Sequence, residues 1–207
     1  MRFYRIAAAA ALLGLSACAS TGPVAVLQPV APQVQQGAMI AEVDVAIAPG
    51  AQEAMLKFEE KAANKRADAG LPPVDPAADL AQRPAAEEYA TLPFTQMFEL
   101  VMQDVTREWG LTSGMPVRLA VEIDTLKTAN AGMAWLVASS DQLTGTVRVL
   151  DAQSSQQLGE FRVDVVNSHS GLLAMAVRGA GVREKLAEEF ALEVSRQLTG
   201  RRSKQQS

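Results

Sequence analysis

The stretch TGTVRVLDAQSSQQLGEFRVDVV, residues 144–166, contains two runs in which apolar and polar side chains alternate. Alternation with a period of two is typical of β-strands that bury one face and expose the other. The polar sequence between the runs, residues 151–157, has the character of a hairpin connection. We therefore predict two antiparallel strands, 143–150 and 158–166.

Two further runs have the same alternation. VRLAVEID, residues 117–124, predicts a third strand, and MIAEVDVAIAP, residues 39–49, predicts a fourth that Pro49 ends. In these runs one face is apolar and the other carries charged or polar side chains. This is the pattern of a sheet that helices cover on one side only.

The clearest helix is predicted for residues 93–109, with Pro93 at its first position and Gly110 as its C-terminal cap. Its apolar positions form one continuous stripe: Phe94, Met97, Phe98, Val101, Met102, Val105 and Trp109. We expect this stripe to pack on the sheet, and docking of a partner helix is the alternative. Residues 51–66 predict a surface helix, and residues 180–199 predict a last one.

The predicted order is β-α-loop-α-β-β-β-α, which favours an α+β two-layer sandwich. We expect a mostly antiparallel sheet of about four strands with two to three helices on one face. The 207 residues suit one domain with appendages. This single domain is predicted to cover residues 39–200, with a long proline-rich loop at 67–93 and a disordered tail at 201–207.

The first eighteen residues, MRFYRIAAAAALLGLSAC, have the composition of a secretory signal. Arg2 and Arg5 make a positive start, and an apolar run of about ten residues follows, which is too short to span a bilayer. Small residues then precede Cys18. We predict a signal peptide over residues 1–17.

Leu15-Ser16-Ala17-Cys18 resembles the lipobox of bacterial lipoproteins. The resemblance implies cleavage between Ala17 and Cys18, a diacylglycerol on the Cys18 thiol and an acyl chain such as palmitate on the new amine. Two or three chains hold a protein stably to a membrane. Because Ala19 rather than Asp follows the cysteine, the resemblance implies sorting to the outer membrane, with the domain facing the periplasm.

Cys18 is the only cysteine of the chain, so its lipidation leaves no thiol for a disulfide, a metal site or a nucleophile. The sequence that follows it is rich in proline and glutamine. Such a composition favours an extended spacer of ~3.1 Å per residue. We therefore predict that residues 18–38 form a lipidated tether. It either holds the domain several nanometres from its anchor or serves only as a generic lipoprotein spacer.

The sequence offers little catalytic chemistry. His169 is the only histidine, and it lacks the additional donors that a metal site needs. Ser168 and Ser170 flank it, but neighbours in sequence do not thereby form a nucleophile and its base. We predict no catalytic residue, no metal and no cofactor. Removal of residues 1–17 leaves 17 basic and 23 acidic residues, a net charge of −6 that disfavours nucleic acid and anionic lipid.

Two apolar connections stand out, at residues 129–140 and 171–181. The second contains glycines but lacks the Lys-Ser/Thr of a phosphate-binding loop. If both were exposed at the same end of the sheet, they would form an apolar patch of the kind that marks a partner or membrane contact. The candidate contact residues are Trp135, Leu172, Leu173 and Met175.

The element order, the hairpin at 144–166 and the closing helix REKLAEEFALEVSRQL at 183–198 resemble small envelope lipoproteins of unknown function. More distantly they resemble the α/β domain of the curli-secretion lipoprotein. The first likeness covers residues 39–199 and implies no catalytic residue.

These observations together favour a non-enzymatic lipoprotein at the periplasmic face of the outer membrane that binds an envelope protein or polymer. One alternative is a hydrolase or transferase that uses carboxylates and His169. Another is a secretion or assembly subunit that oligomerises through an exposed sheet edge.

Overall fold

The computed structural model describes residues 23–74, 89, 91–127, 140–168 and 181–201, which fold as one sheet with helices. The strands are β1 (Val24–Gln28), β2 (Ala38–Ile47), β3 (Met115–Lys127), β4 (Ser140–Asp151) and β5 (Gln157–Ser168). The helices are α1 (Pro32–Gln36), α2 (Gln52–Asp68), α3 (Phe94–Glu108) and α4 (Val182–Thr199). A single 3-10 turn, Pro49–Ala51, leads from β2 into α2.

The sheet has the order β1-β5-β4-β3-β2. Neighbouring strands are antiparallel except for β2 and β3, which run parallel. A parallel pair needs a long crossover connection, and α2 and α3 lie in the chain between these two strands. The structure confirms the predicted α+β class and the mostly antiparallel sheet, with five strands instead of about four.

The fifth strand lies where the sequence predicted a tether. Residues 24–37 form β1 and α1, so the extended spacer predicted for residues 18–38 is wrong over these positions. Antiparallel pairing with β5 supplies the backbone partners of β1, and the Pro23 carbonyl accepts the Asp164 N–H at 2.7 Å. Val34 of α1 is buried in the core. The prolines that suggested a spacer instead flank a short strand and begin a short helix.

The core lies between one face of the sheet and the helices α3 and α4. All of the predicted α3 stripe is buried except Trp109, which is half-buried. The Phe98 ring lies 5.7 Å from that of Phe94 and 5.3 Å from that of Phe190 on α4, centroid to centroid. The prediction that this stripe packs inside the fold is confirmed.

The predicted helix boundaries agree with the structure to within two residues. Pro93 precedes α3 rather than being part of it, and Gly110 follows with a left-handed φ of 78°. Most of the predicted loop at 67–93 and the tail after residue 201 lie outside the described residues. Within the described part of the chain, no helix is long and apolar enough to cross a membrane.

Candidate functional site

The sheet face opposite the core carries charged and polar side chains from β2 to β5. Successive side chains of a strand point to opposite faces. The residues that alternate with the buried valines and leucines therefore lie on this open face. Three arginines lie on three adjacent strands: Arg118 on β3, Arg148 on β4 and Arg162 on β5. We call the surface made by these arginines and their acidic partners the arginine face.

Each arginine of this face forms an ion pair with an acid on another strand. The arginine side chains are 33%, 45% and 51% exposed, while the Arg118 Nε atom itself is buried and forms no hydrogen bond with the described residues. The pairs are Arg118 Nε with Asp44 Oδ2 at 3.5 Å, Arg148 Nη2 with Glu122 Oε2 at 3.2 Å, and Arg162 Nη2 with Asp124 Oδ2 at 3.8 Å. They link β2 to β3, β3 to β4, and β3 to β5 across β4.

Hydroxyl and amide groups further fix the acids of this surface. The Thr146 hydroxyl donates to Asp124 Oδ2 at 3.3 Å. Asp164 Oδ1 accepts from Gln142 Nε2 at 3.0 Å and from the Thr144 hydroxyl at 3.2 Å. These bonds hold the carboxylates in place between strands that are themselves rigid.

The arginine face suits binding better than it suits stabilisation. Exposed ion pairs contribute only ~0–1 kcal/mol each to folding. Guanidinium groups present several donors in a fixed fork and recognise carboxylate, sulfate or phosphate oxygens. A partner that carries such oxygens can replace the acid that is paired with an arginine. Because the existing ion pair is already half-exposed, this exchange costs little desolvation.

Two carboxyl groups elsewhere have raised pKa values. Burial raises the pKa of Glu59 on α2, while the hydrogen bond from the Phe94 N–H and the Arg183 charge act in the opposite direction. Burial, and to a lesser extent the nearby Asp44 charge, raise the pKa of Glu99 on α3. Glu59 has a structural role, because its Oε1 accepts the N–H of the first residue of α3 at 2.9 Å.

The predicted site residues lie outside the described residues. This applies to Ala17 and Cys18, to His169, and to the candidate contacts Trp135, Leu172, Leu173 and Met175. Within the described ranges, no group of three or more His, Cys, Asp or Glu side chains is placed to hold a metal ion.

The structure does place the strand ends that border the two apolar connections. Lys127 of β3 pairs with Gln142 of β4, and Ser140 of β4 pairs with Ser168 of β5. The first connection joins β3 to β4 at this end of the sheet, and the second leaves β5 at the same end and leads to α4. An apolar patch requires this arrangement. The patch itself stays a prediction.

The arginine face was not predicted from the sequence. The sequence does contain charged residues at alternate positions of the strands: Arg118, Glu122 and Asp124 on β3, Arg148 on β4 and Arg162 on β5. Ion pairs across strands depend on register, and the strand register contains bulges that the sequence does not reveal.

The fold and this surface define a class, a two-layer α+β domain with one open, charged sheet face. No protein-family model and no curated protein matches the chain.

Solved structures that are similar to the chain include three bacterial proteins. A PelC dodecamer from Paraburkholderia phytofirmans is 12% identical over 86% of this chain and 99% of that chain, with a TM-score of 0.42. A Xanthomonas campestris protein of the family DUF330 is 15% identical over 79% and 85%, with a TM-score of 0.43. A minor lipoprotein from Acinetobacter baumannii is 10% identical over 77% and 92%, with a TM-score of 0.37. At these TM-scores the likenesses carry no argument about the function of this chain.

Proposed function

We propose that the protein is an outer-membrane-anchored periplasmic lipoprotein whose domain binds another component of the cell envelope and catalyses no reaction. The anchoring rests on the lipobox that ends at Cys18. The binding rests on one observation, the arginine face. Three half-exposed guanidinium groups are held on three neighbouring strands of a sheet whose other side is packed against helices.

The rigidity of the arginine face favours binding. Its side chains stand on strands of 10 to 13 residues that pair along most of their length. Cross-strand ion pairs and the bonds to Asp124 and Asp164 already restrict the rotamers. Docking here therefore costs little additional side-chain entropy, which is one of the costs of forming a polar interface.

The two edges of the sheet disfavour the alternative of assembly by strand addition. Each edge strand contains one extra residue opposite its neighbour, Leu27 in β1 and Ala41 in β2. Pro23 and Pro29 additionally flank β1. Bulges and prolines at an edge are features that prevent pairing with another sheet. We therefore place the partner on the open face of the sheet.

In-cell crosslinking followed by mass spectrometry tests this proposal. The strains carry the wild-type protein, the double variant Arg148→Gln/Arg162→Gln, and Cys18→Ser. The matched control is Arg107→Gln, since Arg107 is an arginine that pairs with Asp104 on the outside of α3 and is 66% exposed.

We expect one stoichiometric crosslinked partner in the wild type and in Arg107→Gln, and its loss in the double variant. Cys18→Ser should release the protein from the membrane fraction. An unchanged crosslink pattern in the double variant would remove the arginine face from the binding site.

A further inference from the structure

The direction of the strands identifies the end of the domain from which the anchor emerges. β3 ends at Lys127, β4 begins at Ser140 and β5 ends at Ser168, all at one end of the sheet. β1 is antiparallel to β5, so the chain enters β1 from this same end, at Pro23. We call the last four residues of β3 and β5, with the start of β4, the sheet tip.

The sheet tip projects beyond the flanking strands. The last residue of β2, Ile47, pairs with Ile123, four residues before the end of β3. Pro23 bonds to Asp164, four residues before the end of β5. At ~3.3 Å per residue the tip extends about 13 Å past the entry point of the chain.

The chain between the lipid and the domain is short compared with that projection. Cys18 precedes Pro23 by five residues, which span at most about 18 Å when fully extended. An acylated Cys18 therefore reaches no more than roughly 5 Å beyond the tip when the strands stand upright on the membrane. At that height the bilayer surface and the sheet tip are in contact.

Charge distinguishes this upright orientation from one in which the β1 edge lies on the membrane. The groove beside that edge is lined by Asp164, Glu189 and Glu193, with Arg196 the only base. Phospholipid surfaces that contain anionic lipid repel such an edge and attract lysines.

The groove beside the sheet tip has the opposite charge. Asp124 and Asp141 also belong to the tip, but Asp124 pairs with Arg162 and Asp141 is buried. A groove of about 490 Å³ between the start of α2 and the tip is lined by Lys57, Lys61 and Lys127, with Glu53 the only acid. Lys57 pairs with Glu53 at 2.8 Å, and Lys61 lies 6.0 Å from the centroid of the Phe58 ring. The sequences that continue from the tip, residues 128–139 and 169–180, contain no Asp or Glu.

We propose that the sheet tip rests on the lipid headgroups of the membrane to which Cys18 is attached, so that the strands stand upright and the β4–β5 hairpin points away. This inference rests on the proposed function, because it assumes an acylated Cys18. It differs from the expectation that a domain of net charge −6 avoids anionic lipid, because that expectation ignored the uneven distribution of the charge.

Site-directed fluorescence quenching tests the orientation on the full, lipidated protein. The wild-type chain has no cysteine other than Cys18, so single cysteines can be introduced for a fluorescent label. The positions are Ser140→Cys at the tip, Gln153→Cys in the hairpin at the far end, and Val26→Cys on the β1 edge. All three side chains are exposed. Each protein is reconstituted in phosphatidylcholine vesicles that contain one quarter phosphatidylglycerol and a headgroup-spin-labelled lipid.

We expect several-fold stronger quenching at position 140 than at 153 or 26. Equal quenching at 140 and 26 indicates the edge-down orientation, and equal quenching at 140 and 153 indicates no fixed orientation. Either result overturns the proposal. Mass spectrometry of Cys18 on the same samples separates the two claims: a protein without acyl chains overturns the anchoring itself, whereas an acylated protein with uniform quenching overturns only the contact of the tip.

Discussion

The carboxylate of Glu59 on α2 accepts a hydrogen bond from the backbone N–H of Phe94, the residue that begins α3. The two atoms are 2.9 Å apart, and the contact joins residues that are 35 positions apart in the chain. The first N–H groups of a helix have no partner within the helix, so a neighbouring helix here supplies the cap. This bond connects the peripheral helix α2 to the helix that forms the centre of the core.

Removal of this cap is expected to destabilise the domain. Glu59→Ala should lower the free energy of unfolding by ~1 kcal/mol, the usual cost of a lost N-terminal cap. Urea denaturation of the unlipidated domain measures it. Glu59→Gln keeps an oxygen acceptor and should cost less than Glu59→Ala, so equal losses in the two variants would contradict the role of the bond.

The same residue predicts a pH dependence. Burial raises the folded-state pKa of Glu59 above its ordinary value of 4.5, so the folded protein holds this proton more tightly than the unfolded chain does. Stability is therefore favoured below pH 4.5 by this group and declines as the pH rises through the raised folded pKa. Relative to wild type, Glu59→Gln should lack this decline. Parallel stability–pH curves for the two proteins would show that Glu59 does not titrate as described.

Gly145 of β4 determines how closely α4 packs on the sheet. A Cβ at this position would lie 2.8 Å from the backbone oxygen of Glu122 and 3.3 Å from the Phe190 ring. Gly145→Ala should cost ~1–3 kcal/mol through overpacking. Gly50→Ala is the control, because a Cβ at Gly50 meets no atom within 4 Å. Thermal unfolding should separate the two variants, and similar midpoints would mean that α4 shifts freely.

The segment that precedes β2 should behave as part of the domain. Val34 of α1 is 1% exposed, and Val34→Ala should cost about 2 kcal/mol from lost burial and the cavity left behind. Val26→Ala, at a side chain that is 54% exposed, should cost much less. Chemical denaturation compares them. If neither variant changed stability, residues 24–37 would be a spacer after all.

The arginine face should contribute little to folding. Arg148→Gln removes an ion pair whose two side chains are 45% and 40% exposed, so the loss of stability should stay below ~1 kcal/mol. The loss should shrink further at high salt, which screens exposed pairs. Denaturation at two salt concentrations measures this. A large loss would show that Arg148 is needed for the fold. The loss of a crosslink in an Arg148 variant would then not report on binding.

Period-two and period-3.6 patterns were sufficient to predict β2 to β5, α3 and α4, because these elements bury an apolar face. α2 buries only Met55, Ala62 and Arg66, and its helix-forming composition predicted it. β1 was missed for a physical reason. A five-residue strand at an edge has few buried side chains, and what defines it is backbone pairing with β5. The prolines on either side of it are equally compatible with a spacer.

The arginine face was beyond prediction because it depends on strand order and register together. Arg162 and Asp124 meet across β4 only because β5 follows β4 in the sheet and a bulge in β3 shifts the pairing near Asp124. The strand ends were predicted only to within three residues, at 124, 143 and 166 instead of Lys127, Ser140 and Ser168. Their position at one end of the sheet follows from the β-meander, which returns alternate connections to the same end.

The bulge residues Leu27 and Ala41 affect how copies of the domain would interact if they were held close together on a membrane. Proteins confined to a membrane surface meet other copies of themselves far more often than proteins free in solution do. A flat, regular edge strand can then pair with the edge strand of another copy. In this fold both borders are interrupted by a bulge. If the protein is anchored as proposed, these bulges oppose the pairing of sheet edges between neighbouring copies even at high surface density.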